Sequence, residues 1–172
     1  MDLNRWIEQY TTHLLKMSFF YVKDRQVAED IVQDVFLKLY EQPHHYVDNG
    51  NEKAFLVRLT INRSKDYLKS WYFRKMQFKE IMSFDKGYEQ SDQLVIEEEQ
   101  QVIGEAILAL PLKYREVLVL HYFEEQTVAE MSTLLQIPLG TVKTRLIKAR
   151  QLLKISLQKE VWEVLGDERS IK

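Results

Sequence analysis

The chain has 172 residues and a formal net charge of −2 at pH 7, with no Cys, five Gly and three Pro. A hydrophobic content of 45% is sufficient for packed cores in one ordinary domain or two small ones, which excludes a disordered chain. The absence of Cys excludes disulfides and thiolate metal sites and is typical of the reducing cytoplasm. Residues 1–10 are polar and charged, and every apolar run is too short to cross a bilayer, so we expect no signal peptide and no membrane span.

The charges are unevenly distributed along the chain. Residues 87–112 carry six acidic side chains and no Lys or Arg, whereas residues 131–159 carry six Lys or Arg and no acidic side chain. A second basic stretch runs from Arg58 to Lys79. Two basic segments separated by an acidic one indicate two DNA-contacting modules joined by a linker.

Long segments free of Gly and Pro favour helices throughout the chain. Over residues 25–41 an apolar residue recurs every four positions, which predicts an amphipathic helix that Pro43 ends. A second long helical pattern begins at Glu52. We therefore predict an all-α protein with a first domain over residues 1–80, a flexible acidic linker over 81–100, a second domain over 101–166 and a tail over 167–172.

The strongest local pattern lies between residues 126 and 154. Thr127 and Glu130 have the spacing of a capping box, which predicts a helix start. Residues 137–140 predict a tight turn, because Pro cannot extend a helix and Gly tolerates unusual backbone angles. In the helix that follows, one face is apolar and the opposite face carries Thr, Ile, Lys and Gln. This arrangement predicts a helix-turn-helix.

Three segments together carry a family resemblance. Residues 137–150, read as IPLGTVKTRLIKAR, resemble the promoter-recognising fourth region of extracytoplasmic-function sigma factors of the sigma-70 family. Residues 28–36, read as AEDIVQDVF, resemble their second region, which docks on RNA polymerase. Residues 55–68 are similar to the part that melts and reads the minus-10 element. The resemblance implies a two-domain helical protein that directs core RNA polymerase to promoters.

The resemblance implies that the second helix of the helix-turn-helix reads the minus-35 element in the major groove. Long cations bind phosphate and guanine edges, and Thr or Ile can contact a thymine methyl. Arg145 and Arg150 are expected near phosphates. The alternative is a solvated basic helix face. The predicted contact set is Thr141, Lys143, Thr144, Arg145, Ile147, Lys148 and Arg150.

For the minus-10 element, the resemblance implies that a loop and a helix of the first domain hold a base flipped out of the non-template strand. An aromatic ring can stack on such a base and an amide can bind its edge. The alternative readings are a buried structural Asn62, a loop anchor at Tyr46 and ordinary solvated cations. The predicted contact set is Tyr46, Asn49, Arg58, Asn62, Arg63 and Lys65.

A polar strip on the helix over residues 25–41 contains Asp30, Gln33 and Asp34. Carboxylates suit an arginine-rich partner, and the resemblance assigns the strip to polymerase binding. Spacing alone favours plain solubility.

Some residues depart from the family pattern. The chain has Phe55 where the family usually has Trp, Thr60 where it has Ala, and His121 where a basic residue is common. The aromatic run Trp71, Tyr72 and Phe73 has no assigned role. His13, His44, His45 and His121 lack the spacing of a metal site, so we expect no metal and no cofactor.

No phosphate-binding loop or nucleophile motif is present, so an enzyme is not expected. The expected partners are core RNA polymerase, promoter DNA and a membrane-bound anti-sigma factor, with the chain in the cytoplasm and active in an envelope or stress response. Two other functions remain open. The chain could be a dimeric helix-turn-helix regulator that acts without polymerase, or a helical adaptor that binds only proteins.

Overall fold

The structure, a computed structural model, describes residues 2–43, 51–78 and 98–157. These residues form seven α-helices and no strand, which confirms the all-α prediction. The chain divides into two compact units, Met1–Asp92 and Gln93–Lys172. The first unit contains α1 (Leu3–Val22), α2 (Arg25–Glu41) and α3 (Glu52–Phe78). The second contains α4 (Glu98–Ala109), α5 (Leu112–Tyr122), α6 (Val128–Leu135) and α7 (Leu139–Ser156).

The first helix was not predicted. The carboxylate of Asp2 caps it by accepting the N–H of Arg5 at 3.1 Å, which satisfies one of the free amides at the helix start. Trp6, Leu14 and Tyr21 lie on one side of α1 and are at most 2% exposed. Their spacing of about two turns is a helical signal that the sequence contains. Because α1 packs against both α2 and α3, it supplies much of the core of the first unit.

The two predicted helices of the first unit are confirmed, α2 over the residues expected and α3 from Glu52 onward. Asp24 caps α2 by accepting the N–H of Val27 at 3.0 Å, and Asn51 accepts the N–H of Ala54 at 3.1 Å at the start of α3. Inside the unit, the buried hydroxyls of Ser18 and Ser64 lie 3.1 Å apart and join α1 to α3. Hydrogen bonding of this kind makes buried polar groups tolerable in a core.

The predicted linker lies outside the described residues except at its end, where residues 98–100 already belong to α4. The predicted tail also lies outside them. In the second unit, the guanidinium of Arg115 donates to the carbonyls of Leu108 and Leu110, each at 2.9 Å. These bonds fix α5 against the end of α4, where helix carbonyls lack partners of their own.

The helix-turn-helix is present with one correction to its turn. The capping box is confirmed, since Glu130 N–H donates to Thr127 Oγ1 at 3.2 Å and Thr127 N–H donates to the Glu130 carboxylate at 2.8 Å. The turn was expected to extend through Gly140, but α7 begins at Leu139. The left-handed residue is Gln136, with φ 56°, rather than the glycine. A helix commonly ends on such a residue, and Gln136 closes α6 in this way.

Candidate nucleic-acid interface

The two faces of α7 separate as the sequence predicts. Val142, Leu146, Ala149 and Leu153 are at most 2% exposed and pack into the second unit. The opposite face is exposed and carries Lys143, Thr144, Ile147, Lys148 and Gln151. Ile147 is 49% exposed although it is aliphatic. The packing of α7 therefore presents a basic surface that includes exposed apolar side chains such as Ile147, which suits a DNA groove with phosphates at its edges.

The two threonines of the predicted contact set differ in position. Thr144 is exposed, and its hydroxyl donates to the carbonyl of Gly140 at 2.9 Å. The hydroxyl oxygen keeps its capacity to accept a bond, since a hydroxyl both donates and accepts. Thr141 is half-buried in the first turn of α7. Thr144 thus belongs to the exposed face, and Thr141 lies at its border.

The two arginines expected near phosphates lie elsewhere than on the exposed face. Arg145 is half-buried and donates to the carboxylate of Glu116 on α5 at 3.1 Å. Arg150 is only 4% exposed, so the packing of the second unit covers it. Burial raises the pKa of the Tyr122 hydroxyl, and the Arg150 guanidinium partly offsets that rise. We assign Arg150 to packing and leave it out of the proposed DNA contacts.

His121, which stands where the family often has a basic side chain, bonds within its own unit. Its ring is half-buried, and Nδ1 lies 3.1 Å from the carbonyl of Gln126. Since a carbonyl can only accept, this contact requires a proton on Nδ1. The ring also meets that of Tyr122 edge-on, with centroids 4.8 Å apart. His121 therefore fixes the segment between α5 and α6.

The minus-10 candidates are divided between described and undescribed residues. Tyr46 and Asn49 lie outside the described residues. On α3, Arg58 and Asn62 are exposed, so the structure does not favour a buried structural role for Asn62. Lys65 is half-buried, with Nζ 6.0 Å from the centre of the Tyr21 ring. At the start of the helix, the guanidinium of Arg58 lies 5.7 Å from the centre of the Phe55 ring.

One ion pair joins residues that the sequence assigned to different partners. Both Nε and one terminal nitrogen of Arg63 donate to Oδ2 of Asp34, at 3.1 Å and 2.5 Å. The two side chains are 41% and 44% exposed. Asp34 belongs to the predicted polymerase strip on α2, and Arg63 to the predicted minus-10 set on α3. The structure thus brings the two candidate surfaces of the first unit into direct contact.

The polar strip on α2 continues into an apolar surface that sequence reasoning missed. Asp30 and Gln33 are exposed and Asp34 is half-buried, as a surface strip requires. Farther along the same side of the helix, Leu37 and Tyr40 are 52% and 73% exposed. Large exposed apolar side chains beside polar ones are typical of protein contact sites. The available signal was that both residues fall outside the four-residue repeat of the buried face.

Two negative findings complete the description of the surfaces. Among the residues that the structure describes, no cluster of His, Asp and Glu could hold a metal ion. No helix of that part of the chain is long and apolar enough to cross a membrane.

Comparison with family models identifies both units. Residues 6–71 match the model for Sigma-70 region 2, and residues 100–153 match the model for Sigma-70, region 4. The two matches fall in the first and second units respectively and define a two-domain protein of the sigma-70 class. The ECF sigma factor SigW of Bacillus subtilis is 29% identical over 164 residues, which cover 88% of this chain and 87% of SigW. SigM of the same bacterium is 28% identical over 156 residues, covering 90% of this chain and 94% of SigM.

The chain belongs to the extracytoplasmic-function sigma factors of the sigma-70 family, as its sequence motifs predicted. A solved structure with the same fold is that of the sigma factor RpoE in complex with the anti-sigma factor NepR from Bartonella quintana. It matches with a TM-score of 0.72 and 18% identity, over 92% of this chain and 98% of RpoE. CnrH, solved in complex with the cytosolic domain of CnrY, matches with a TM-score of 0.59 and 16% identity, over 89% of this chain and 85% of CnrH.

Proposed function

We propose that this chain binds core RNA polymerase and directs it to promoters with a minus-35 element read by α7 and a minus-10 element read by α3 and the segment before it. The observation that carries the proposal is the exposed face of α7 in a chain that also has a sigma region 2. The sigma-70 family provides the function in general terms, and the exposed residues provide the candidate contacts. The chain itself has no catalytic role in this proposal, and it acts in the cytoplasm, where the polymerase is.

On α7, Lys143, Thr144, Ile147 and Lys148 form the proposed reading face. The lysines neutralise phosphate and donate to guanine, while Ile147 contacts a thymine methyl. Arg145 and Thr141 lie beside this face. We propose that the ion pair of Arg145 with Glu116 positions α7, and that any phosphate contact of Arg145 is shared with that pair.

In the first unit, Asn62 is the proposed reader of an unpaired base, with Tyr46 and Asn49 in the preceding segment. Exposure of the Asn62 amide supports this role, because a base edge can reach it. Arg58, Arg63 and Lys65 are proposed to hold the strand backbone. Arg63 can do so only by exchanging or sharing its bond with Asp34.

The polymerase surface is proposed to be the strip of Asp30, Gln33 and Asp34, extended by Leu37 and Tyr40. Its combination of carboxylates and exposed apolar area suits a partner that offers arginines beside an apolar patch. The solved relative RpoE is held by an anti-sigma factor. We propose that a membrane-bound anti-sigma factor likewise restrains this chain, as part of an envelope or stress response.

The experiment that tests the function is run-off transcription from fragmented host DNA. Core RNA polymerase alone is compared with core polymerase plus this protein, and transcript starts are mapped. The expected result is a set of new starts that share two upstream elements. No new starts, together with tight dimeric binding to a palindromic site without polymerase, would instead show an ordinary helix-turn-helix regulator.

A further inference from the structure

The exposed side of α3 carries a single continuous stripe. Residues 58, 62, 65, 69 and 72 are separated by four, three, four and three positions, which places them on one side of a helix. In order, the stripe consists of Arg58, Asn62, Lys65, Lys69 and Tyr72. Lys65 is half-buried and the other four are exposed. The stripe therefore presents three cations and an amide and ends on an aromatic ring.

The packing of the first unit does not explain why a tyrosine stands at position 72 of the stripe. It is 65% exposed near the end of α3, where Lys69, Ser70, Arg74 and Lys75 are exposed as well. Its ring meets that of Trp71 at 70°, with centroids 6.2 Å apart, so the two rings are not stacked flat on one another. An exposed Tyr gains nothing from core packing, but its rigid ring suits a flat ligand.

We infer that Tyr72 is a second base-stacking position, and that the stripe on α3 holds an unpaired DNA strand from Arg58 to Tyr72. The inference rests on the proposed function and extends its minus-10 site. At about 1.5 Å per residue, the stripe is roughly 21 Å long and Tyr72 lies roughly 15 Å from Asn62. At the rise of about 3.4 Å per nucleotide that a strand has when its bases stay stacked as in a duplex, this separation corresponds to about four nucleotides.

Charge complementarity selects DNA as the occupant. The stripe has three cations, and Asp66 beside it lies 3.7 Å from Lys69 in an exposed ion pair. Exposed pairs of this kind are weak, so phosphate can displace Asp66. Grooves that bind single strands combine cations along the backbone with aromatic rings under the bases. The stripe contains both components, with Asn62 between the cations Arg58 and Lys65 and the ring of Tyr72 at its end.

The test uses holoenzyme assembled from core polymerase and the full chain, on a promoter mapped by run-off transcription. A fluorescent adenine analogue is placed about four nucleotides from the base contacted by Asn62, and fluorescence is measured on promoter opening. Stacking on Tyr72 is expected to quench the fluorescence of this nucleotide. Tyr72→Ala should abolish that quenching and shorten the open-complex lifetime roughly 10-fold, since stacking contributes substantially per base. Tyr72→Phe keeps the ring and is expected to retain both properties.

A charge control accompanies the aromatic variants. Lys69→Ala removes a cation of the stripe. It is expected to reduce the slope of log affinity for the promoter against log salt concentration by the contribution of about one phosphate. Arg74→Ala removes an exposed cation on another side of α3 and is expected to leave this salt dependence unchanged.

Each remaining outcome overturns the inference. If both Tyr72→Phe and Tyr72→Ala lost the quenching and the long open-complex lifetime, Tyr72 would act through a hydroxyl contact rather than stacking. Reduced assembly of Tyr72→Ala with core polymerase would show a protein contact. Normal opening by Tyr72→Ala would show no contact at all. In each of these cases the wild-type protein still initiates, so the proposed sigma function stands; failure of the wild-type protein to initiate would refute that function instead.

Discussion

Ile147 and Lys148 occupy neighbouring positions on the surface of α7, and neither contributes to the core of its unit. Ile147 is 49% exposed, and Lys148 is exposed as well. Substitutions of such residues usually change stability by less than about 0.5 kcal/mol. Changes in function at these positions can therefore be separated from changes in folding.

For this reason Lys148→Glu is expected to remove promoter selection without unfolding the protein. It replaces a proposed phosphate or guanine contact with a repulsive charge, and each good base contact contributes about 1–3 kcal/mol. Transcription from a mapped promoter and thermal unfolding are the two measurements. Lys113→Glu, which reverses an exposed charge on α5 outside the proposed reading face, serves as the control. Unchanged transcription by Lys148→Glu would remove Lys148 from the reading face.

Gln136 and Gly140 support a second prediction, on stability. Gln136 has the left-handed φ of 56°, whereas a Cβ added at Gly140 would meet nothing within 4 Å. Gln136→Gly should relieve backbone strain and stabilise the second unit by about 1 kcal/mol. Gly140→Ala should stabilise it by about 0.5 kcal/mol, because Ala is the better helix former. Calorimetry of both variants is the measurement, and a lower melting temperature for either would contradict the described turn.

The capping box of α6 gives a prediction for pH. Bonds from the Thr127 side chain and backbone hold the pKa of the Glu130 carboxyl below its usual value. A group whose pKa is lower in the folded state contributes stability above its unfolded pKa and loses it as the pH falls. The start of α6 is therefore expected to loosen in acid, as followed by amide hydrogen exchange. In Glu130→Gln this particular pH dependence should be absent, and its persistence would assign it to another group.

At the level of helices, the sequence predicted α2, α6 and α7 because each has a strong local signal. Apolar residues at every third or fourth position mark α2 and α7, and Thr127 with Glu130 marks the start of α6. Helix α1 also has a regular apolar spacing, so it too is predictable from the sequence. The turn after α6 was misplaced because Gly is the usual left-handed residue, and here Gln136 takes that conformation.

Contacts between helices were beyond sequence reasoning. The pairs of Arg63 with Asp34 and of Arg145 with Glu116 each join residues 29 positions apart. Nothing in local periodicity specifies which distant carboxylate a guanidinium meets. Arg150 was predicted to lie close to phosphates, although the packing of its unit covers it. The sequence therefore predicts which helix face carries the candidate site, but not which side chains its residues contact.

At the scale of the whole molecule, each unit has its own buried core. Leu14 in the first unit and Leu146 in the second are both 0% exposed. Leu14→Ala and Leu146→Ala are each expected to destabilise the unit that contains them by about 2–4 kcal/mol, through lost burial and the cavity left behind. Hydrogen exchange resolved by segment is the measurement. A loss of protection in both units from one substitution would contradict two independent cores.

The ion pair between Asp34 and Arg63 couples the binding of polymerase to the binding of DNA in the first unit. If a polymerase arginine takes the Asp34 carboxylate, the Arg63 guanidinium loses its partner and is available to phosphate. If DNA takes Arg63 first, Asp34 is available to polymerase. Coupling between binding free energies is reciprocal, so each ligand then raises the affinity for the other by the same factor. Under the proposed assignments, this single contact makes promoter DNA and polymerase positive effectors of one another.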